Sequence, residues 1–176
     1  PLVDAVLASA GVVGLAVGFG AQNLVKDLVS GFFLILENQI RVGDVAIING
    51  TGGLVETITF RTIVLRDEAA VVHVFPNGSI TTLANMTKDW SAYVITIGVS
   101  YKEDTDHVVE VMQRAAADLY ADGTFRSAML EPIEILGVDN FTESAVFIKA
   151  RLKTVPLQQF RVGREYRRSV VSFCRL

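Results

Sequence analysis

From Ala5 to Val25 the chain carries no charged side chain, and ten of those 21 positions are Gly, Ala or Ser. At a rise of ~1.5 Å per residue, a helix of this length reaches roughly the ~30 Å of a bilayer's hydrocarbon core. The pattern therefore predicts a membrane-spanning helix, closed by Lys26 and Asp27. Leu24 to Ile40 keeps the helical spacing but mixes Lys26, Asp27, Ser30, Glu37 and Asn38 among Leu28, Phe32, Phe33, Ile35 and Leu36. That stretch reads as an amphipathic helix at the membrane surface. Asn23 and Gly31 are weak helix formers and mark the expected bends. From Arg41 onward the apolar period shortens to two, with turn residues at short intervals, which predicts the strands VAII, LVETITF, RTIVLRD and VVHVF in a small sandwich or barrel. Pro76-Asn77-Gly78 suits a tight turn after the last of these. Asn49 to Gly53 reads as a glycine-rich turn. The final third predicts a strand at YVITIGVSY, a helix from Asp104 to Tyr120, strands at IEILGVD and SAVFIKARLKT, and a helix from Leu157 onward. This is the β-α-β-β-α order of a split βαβ sandwich without its final strand.

The faces of the first helix follow from about 100° of rotation per residue. With Leu15 as reference, Ala8, Gly11, Phe19 and Gln22 fall within about 40° of it, a stripe of two bulky apolar residues one turn apart followed by an amide. Gly14, Gly18 and Ala21 flank this stripe on one side, and Ala5, Ala16 and Gly20 on the other. Val6, Val13 and Val17 point away. Small residues on both flanks let neighbouring backbones approach closely, as a GxxxG pair does in membranes. A helix flanked by identical neighbours on both sides makes a ring, with the stripe toward its axis.

Gly18-Phe-Gly20-Ala-Gln-Asn23, with Glu37 nineteen residues beyond Gly18, imitates a dinucleotide-binding fingerprint. Asn23 stands where the third glycine belongs, the upstream run is far longer than a strand, and no second crossover helix follows. These features weigh against a nucleotide site.

The chain is 51% hydrophobic and 20% charged, and most of the charges follow Arg41. A net charge of −3 without a Lys/Arg run gives no pull toward nucleic acid. The single Cys174 excludes an internal disulfide. No constellation of nucleophile, metal ligands or phosphate loop is present, so an enzyme is not expected, nor a cofactor or a metal. His73 reads as a strand residue. Glu103, Asp104 and Asp106, beside His107, suit the N-terminal dipole of the helix they open. Arg161, Arg164, Arg167 and Arg168 read as a solvated helix face, with anionic lipid or phosphate binding as the alternative. The sequence starts at Pro1 with no basic n-region, which does not read as a signal peptide. It reads as part of a longer, multi-pass chain with further membrane helices upstream.

The segments GLAVGFGAQNLVKDLVSGFFLILENQIRVGD, GGLVETITFRTIVLRD and VFPNGSI with NMTKDWS follow one another in that order. Together they resemble the MscS family of small-conductance mechanosensitive channels over essentially the whole chain. The resemblance implies a membrane helix lining the pore (1–40), a small Sm-like β barrel or sandwich (41–100), and a ferredoxin-like α/β domain lacking its last strand (101–176). It also implies a homoheptamer in a bacterial inner membrane, with cytoplasmic C-terminal domains, opened by membrane tension to release ions and small osmolytes. Leu15 and Phe19 would match the rings that constrict the pore, and Gln22 the glutamine below them. Ala8, Gly11, Gly14, Ala16 and Gly18 would match the surfaces on which neighbouring helices slide. Asn23 stands where the family often has a glycine at the bend, and Gly31 matches a second bend. Two other classes share this architecture: a ligand-regulated exporter of small organic solutes, and a non-conducting membrane-anchored scaffold.

Overall fold

The computed structural model describes residues 2–173, with side chains described at residue 11 and from residue 13 onward. Ala8 and Cys174 thus lie outside the described side chains. The chain divides into two units, Pro1–Asn85 and Met86–Leu176.

In the first unit, α1 (Leu2–Leu36) is one helix of 35 residues. The sequence predicts a span and a separate amphipathic helix, but helical structure continues through Asn23 and Gly31. Neither residue removes a backbone donor as proline would, and a mid-helix glycine costs only about 1 kcal/mol. A change of direction at either position is therefore a bend within a continuous helix. The helix stops at Asn38, whose φ of 51° is left-handed. Asn38 N–H donates to the carbonyl of Ile35 (3.1 Å) and Gln39 N–H to that of Leu34 (3.4 Å), the paired bonds of a Schellman ending.

The RVGD motif is the next turn. Asp44 Oδ2 accepts from the Arg41 amide at 2.9 Å and from Asn85 Nδ2 at 2.7 Å, so one carboxylate ties the start of the β domain to its end. The strands are β1 (Val45–Ile48), β2 (Thr51–Ile58), β3 (Thr62–Arg66), β4 (Val72–Pro76) and β5 (Leu83–Asn85). They form one antiparallel sheet in the order β4-β3-β2-β1-β5. Ile48 pairs with Thr51, so the expected glycine-rich turn shrinks to Asn49-Gly50, with φ of 50° and 86°. Positive φ at both residues is the primed hairpin turn that matches strand twist. Thr51 to Gly53 are instead part of β2. A Cβ on Gly53 would lie 2.7 Å from the Arg66 carbonyl oxygen, so this glycine allows the two strands to meet. The register shift between Val55 and Thr57 leaves Glu56 as a bulge, and its carboxylate takes Arg66 through Nε at 2.5 Å and Nη2 at 3.1 Å. Ile40, Ala46, Ile48, Val55, Ile63 and Leu65 make the core.

The second unit contains β6 (Ser91–Val99), α2 (Thr105–Ala121), a short α3 (Gly123–Arg126), β7 (Glu134–Phe141), β8 (Val146–Thr154) and α4 (Gln159–Phe173). Its antiparallel sheet has the order β6-β8-β7, the first, third and second strands of a split βαβ sandwich. The expected boundary at 100/101 differs from this arrangement. All nine residues of β6 pair with β8, so this strand belongs with the α/β unit and the division falls at Asn85/Met86. Asp104 caps α2 by accepting from the Asp106 amide at 2.9 Å, the role expected of that acidic start. On the covered face of the sheet, Ile95, Ile148, Ala150 and Leu152 pack with Met112, Ala115, Val162 and Tyr166. A Cβ on Gly163 would sit 2.4 Å from the Tyr93 ring, so α4 reaches β6 only because this position is glycine.

Tyr166 is fully buried, and its hydroxyl donates to the Met112 carbonyl at 3.1 Å. Burial raises its pKa well above the ordinary tyrosine value. Tyr166→Phe removes that bond and leaves the ring packing in place, so it is expected to cost about 0.5–1.5 kcal/mol, read by denaturant unfolding. At the β3–β4 hairpin, Asp67 is held below its ordinary pKa of 3.8, first by its hydrogen bond with His73 and then by the Val71 amide. A depressed folded pKa stabilises fully above the unfolded value and is lost as pH falls through the folded one. Asp67→Asn should therefore melt below wild type at neutral pH, and the gap should shrink as the pH falls below 3.8.

Candidate functional site

Two features of α1 define the site: an upper segment whose described side chains are exposed, and a lower segment that is docked onto the β domain.

Val13–Leu36 is long and apolar enough to cross a membrane by length and composition, with only 11% of the window buried. Leu15 and Phe19 are 63% and 75% exposed. Gln22 continues the same side, and Gly14, Leu15, Gly18, Phe19, Gln22 and Val25 line one shallow groove of about 450 Å³. Of the expected pore stripe, Leu15, Phe19 and Gln22 share this groove, which also takes in Gly14 and Gly18 from the expected flank. A Cβ added to Gly11, Gly14, Gly18 or Gly20 would meet nothing within 4 Å. Nothing in this chain's own packing requires those glycines, in contrast to Gly31, Gly53, Gly78 and Gly163. Ala16 is exposed in the same way, and so is Asn23. Gly18 to Asn23, which imitate a dinucleotide fingerprint, all lie inside this helix, with Glu37 just past its end, so no strand-to-helix turn exists there to hold a phosphate.

The lower segment behaves differently. Asp27 is 7% exposed, although it follows a fully polar-accessible Lys26. Its Oδ1 accepts from the backbone N–H of Gly78 at 2.9 Å, across 51 residues of sequence. Its Oδ2 lies 3.6 Å from Nε of Arg61. The stem of Lys26 lies over Gly78, where a Cβ would come 2.7 Å from Asp27 Oδ1 and 2.9 Å from Lys26 Cγ. One turn further along α1, a Cβ on Gly31 would sit 2.0 Å from the Phe60 carbonyl oxygen and 2.2 Å from Asn77 Nδ2. Gly31 and Gly78 are therefore the two positions where only glycine allows the surfaces to meet. Asn77, itself 1% exposed, binds the β-domain side together: its Nδ2 donates to the carbonyls of Thr59 (3.0 Å) and Phe60 (2.9 Å), and its amide to Arg61 O (2.8 Å). A buried carboxylate is tolerated only when hydrogen-bonded or paired, and here it is both.

Sequence reading singled out Gly31 and the Pro-Asn-Gly turn but not their contact, and it missed Asp27, Arg61 and Asn77 as parts of one site. The available signal was a carboxylate in the first turn of an amphipathic stretch, directly after an uncharged run. What that carboxylate meets lies too far along the chain for spacing to show it.

The other sequence candidates have local explanations. His73 Nε2 lies 2.9 Å from Asp67 Oδ2 within one hairpin. Arg161 stacks over Phe125, Arg167 over Tyr93, and Arg168 pairs with Glu165. Among the described residues, no group of three or more His, Cys, Asp or Glu is placed to hold a metal ion.

Asp27→Ala leaves the Gly78 N–H buried without its acceptor, an expected cost of about 1–3 kcal/mol. Gly31→Ala must push α1 off the Phe60 carbonyl. Both variants should show faster amide exchange in residues 76–82 and a lower melting temperature, measured by hydrogen-exchange mass spectrometry and thermal unfolding. Unchanged exchange in Asp27→Ala would remove the dock.

Residues 23–88 match the family model described as the mechanosensitive ion channel β-domain. The chain is 39% identical over 165 residues to the small-conductance mechanosensitive channel of Caldanaerobacter subterraneus subsp. tengcongensis, covering 94% of this chain and 57% of that protein. It is 32% identical over 156 residues to the moderate conductance mechanosensitive channel YbiO of Escherichia coli, covering 89% of this chain and 21% of that protein. The closed-state crystal structure of Helicobacter pylori MscS superposes with a TM-score of 0.74 at 20% identity, over 96% of this chain and 66% of that one. The chain therefore spans about half of one of these relatives and a fifth of the other, and along that length the apolar helix, the docked β domain and the α/β unit place it in the MscS family of mechanosensitive channels.

Proposed function

We propose that the full-length protein is an ion channel opened by membrane tension, which releases ions and small osmolytes when the cell swells. The observation that carries this reading is the contrast within α1. Its upper segment is apolar, exposed and lined with glycines that its own chain does not use, whereas its lower segment is fixed to the β domain. An apolar helix with no partner in its own chain needs lipid or other copies around it. Glycine seams on both flanks suit copies, arranged as a homo-oligomeric ring and, by the family's pattern, a heptamer. The membrane is the bacterial inner membrane, and the C-terminal units lie in the cytoplasm.

In such a ring, copies of Leu15 and Phe19 form two apolar girdles, and a narrow apolar constriction stops ions by dewetting before it is sterically shut. Gln22 supplies an amide just below, where permeating ions regain polar contacts. Tension favours whichever state occupies more area in the bilayer plane, by no more than its differential work on the two states. Gly11, Gly14, Ala16, Gly18 and Ala8 keep the seams smooth, so that neighbouring helices slide as the ring widens. A bend at Asn23 would let the upper helix move while Asp27 stays held.

Leu15→Ala with Phe19→Ala is expected to ease wetting and lower the opening threshold. The measurement is patch-clamp recording of the full-length protein under graded suction, in a membrane lacking other mechanosensitive channels. An unchanged threshold and conductance would overturn the pore-face assignment. Silence up to rupture, from inserted and assembled wild-type protein, would overturn the channel itself.

A further inference from the structure

Asn49 lies at the β1–β2 turn, is exposed, and has no contact with α1 among the described hydrogen bonds, yet its carboxamide is fully engaged. Its Oδ1 accepts three hydrogen bonds, from the Thr81 amide (2.9 Å), the Thr81 hydroxyl (2.9 Å) and the Thr82 amide (3.2 Å). Its Nδ2 donates to the Ser79 carbonyl at 3.0 Å, and its own amide donates to the Thr82 carbonyl at 3.1 Å. One side chain thus brackets residues 79–82, the segment that leaves Gly78. Gly78 in turn presents the amide that holds Asp27 of α1. A hairpin turn would be served equally well by glycine at this left-handed position, so the turn alone does not account for the carboxamide. The side chain's chemistry is directed at the 79–82 segment.

We propose that Asn49 is a positioning residue for the α1 dock: it fixes the segment after Gly78, so that the Gly78 amide meets Asp27, and through that contact it tunes how α1 responds to tension. The inference rests on the channel reading above for its effect on gating, but not for its effect on the dock.

The sequence order explains why the clamp is needed. Between β4 and β5 the chain makes one 3-10 turn (Asn77–Ser79) and then crosses to β5 without strand pairing until Leu83. Asn77 anchors the front of this crossing to Thr59 and Phe60, and the Ser79 hydroxyl closes back onto Pro76 O at 2.7 Å. Ile80 packs on the β-domain core. Asn49 anchors the polar backbone of the same crossing from the far side. With that clamp released, the orientation of the Gly78 N–H rests on Asn77, the Ser79–Pro76 bond, the packing of Ile80 and the one backbone bond from Asn49 to Thr82.

The test uses the full-length protein and three variants. Asn49→Gly keeps the turn and removes all four side-chain bonds. Asn49→Asp keeps an oxygen acceptor for Thr81 and Thr82 and loses only the donor to Ser79. Asp27→Ala removes the contact through which Asn49 acts. In assembled protein, confirmed by size-exclusion chromatography, amides 78–82 should exchange roughly tenfold faster in Asn49→Gly, with Asn49→Asp intermediate. In patch-clamp recording, Asn49→Gly should shift the midpoint tension in the same direction as Asp27→Ala and by no more. Added to Asp27→Ala, it should produce no further shift. Unchanged exchange in Asn49→Gly, an unchanged midpoint, or a shift that adds in full to that of Asp27→Ala would each overturn the proposal. A silent wild type would instead reject the channel, and the exchange rates would still report whether Asn49 orders the dock.

Discussion

A single buried carboxylate connects the two kinds of structure in the first unit. Asp27 sits where an apolar helix becomes amphipathic, and among the described residues it meets the Gly78 amide and the Arg61 guanidinium, both from the β domain. A carboxylate removed from water without partners would be strongly unfavourable, so helix and β domain are mutually required at this point. The requirement propagates. Gly31 and Gly78 must be glycine for the surfaces to close, Asn77 must join two turns beneath the helix, and Asn49 must hold the segment that follows Gly78. A polar contact of modest net strength becomes decisive because every neighbouring position is arranged around it.

The upper helix is organised on the opposite principle. Its glycines meet no atom of their own chain, and its bulky residues lie open. Such a surface is unstable in water, and lipid and identical neighbours are the surroundings that suit it. The chain therefore separates an exposed apolar segment from a segment fixed to the β domain. In the proposed channel, that division would let area change be taken up by the exposed segment while the docked segment resists. Asp27 marks the border.

The second unit follows its own logic. A three-stranded sheet in the order β6-β8-β7 is covered on one face by α2 and α4, with Tyr166 and Gly163 setting how closely α4 approaches. The surface arginines that invite a ligand-binding reading are largely engaged with aromatic rings or carboxylates of the same unit. That is ordinary behaviour for a planar cation that stacks well.

The sequence alone carried everything that depends on local repetition. Helical period, strand period, the Pro-Asn-Gly turn, the acidic start of α2 and the order of the longer elements were readable because each is set by residues a few positions apart, whereas the short β5 and α3 were not read. The stripe through Leu15, Phe19 and Gln22 was readable for the same reason. Three things were not. The membership of β6 in the α/β unit depends on pairing with β8, about 55 residues away, which alternation alone cannot assign. The continuity of α1 through Asn23 and Gly31 was not, because weak helix formers cost too little to end a helix and their presence alone does not say whether it continues. The dock itself joins Asp27 to Gly78 across 51 residues. Periodicity reports which face of an element is apolar, but it does not report what a lone polar group on that face will meet, because its partner is chosen by the path of the whole chain. Tertiary structure alone decided that a glycine expected at a bend serves a close approach, and that an asparagine expected in a turn holds the segment on which the helix depends.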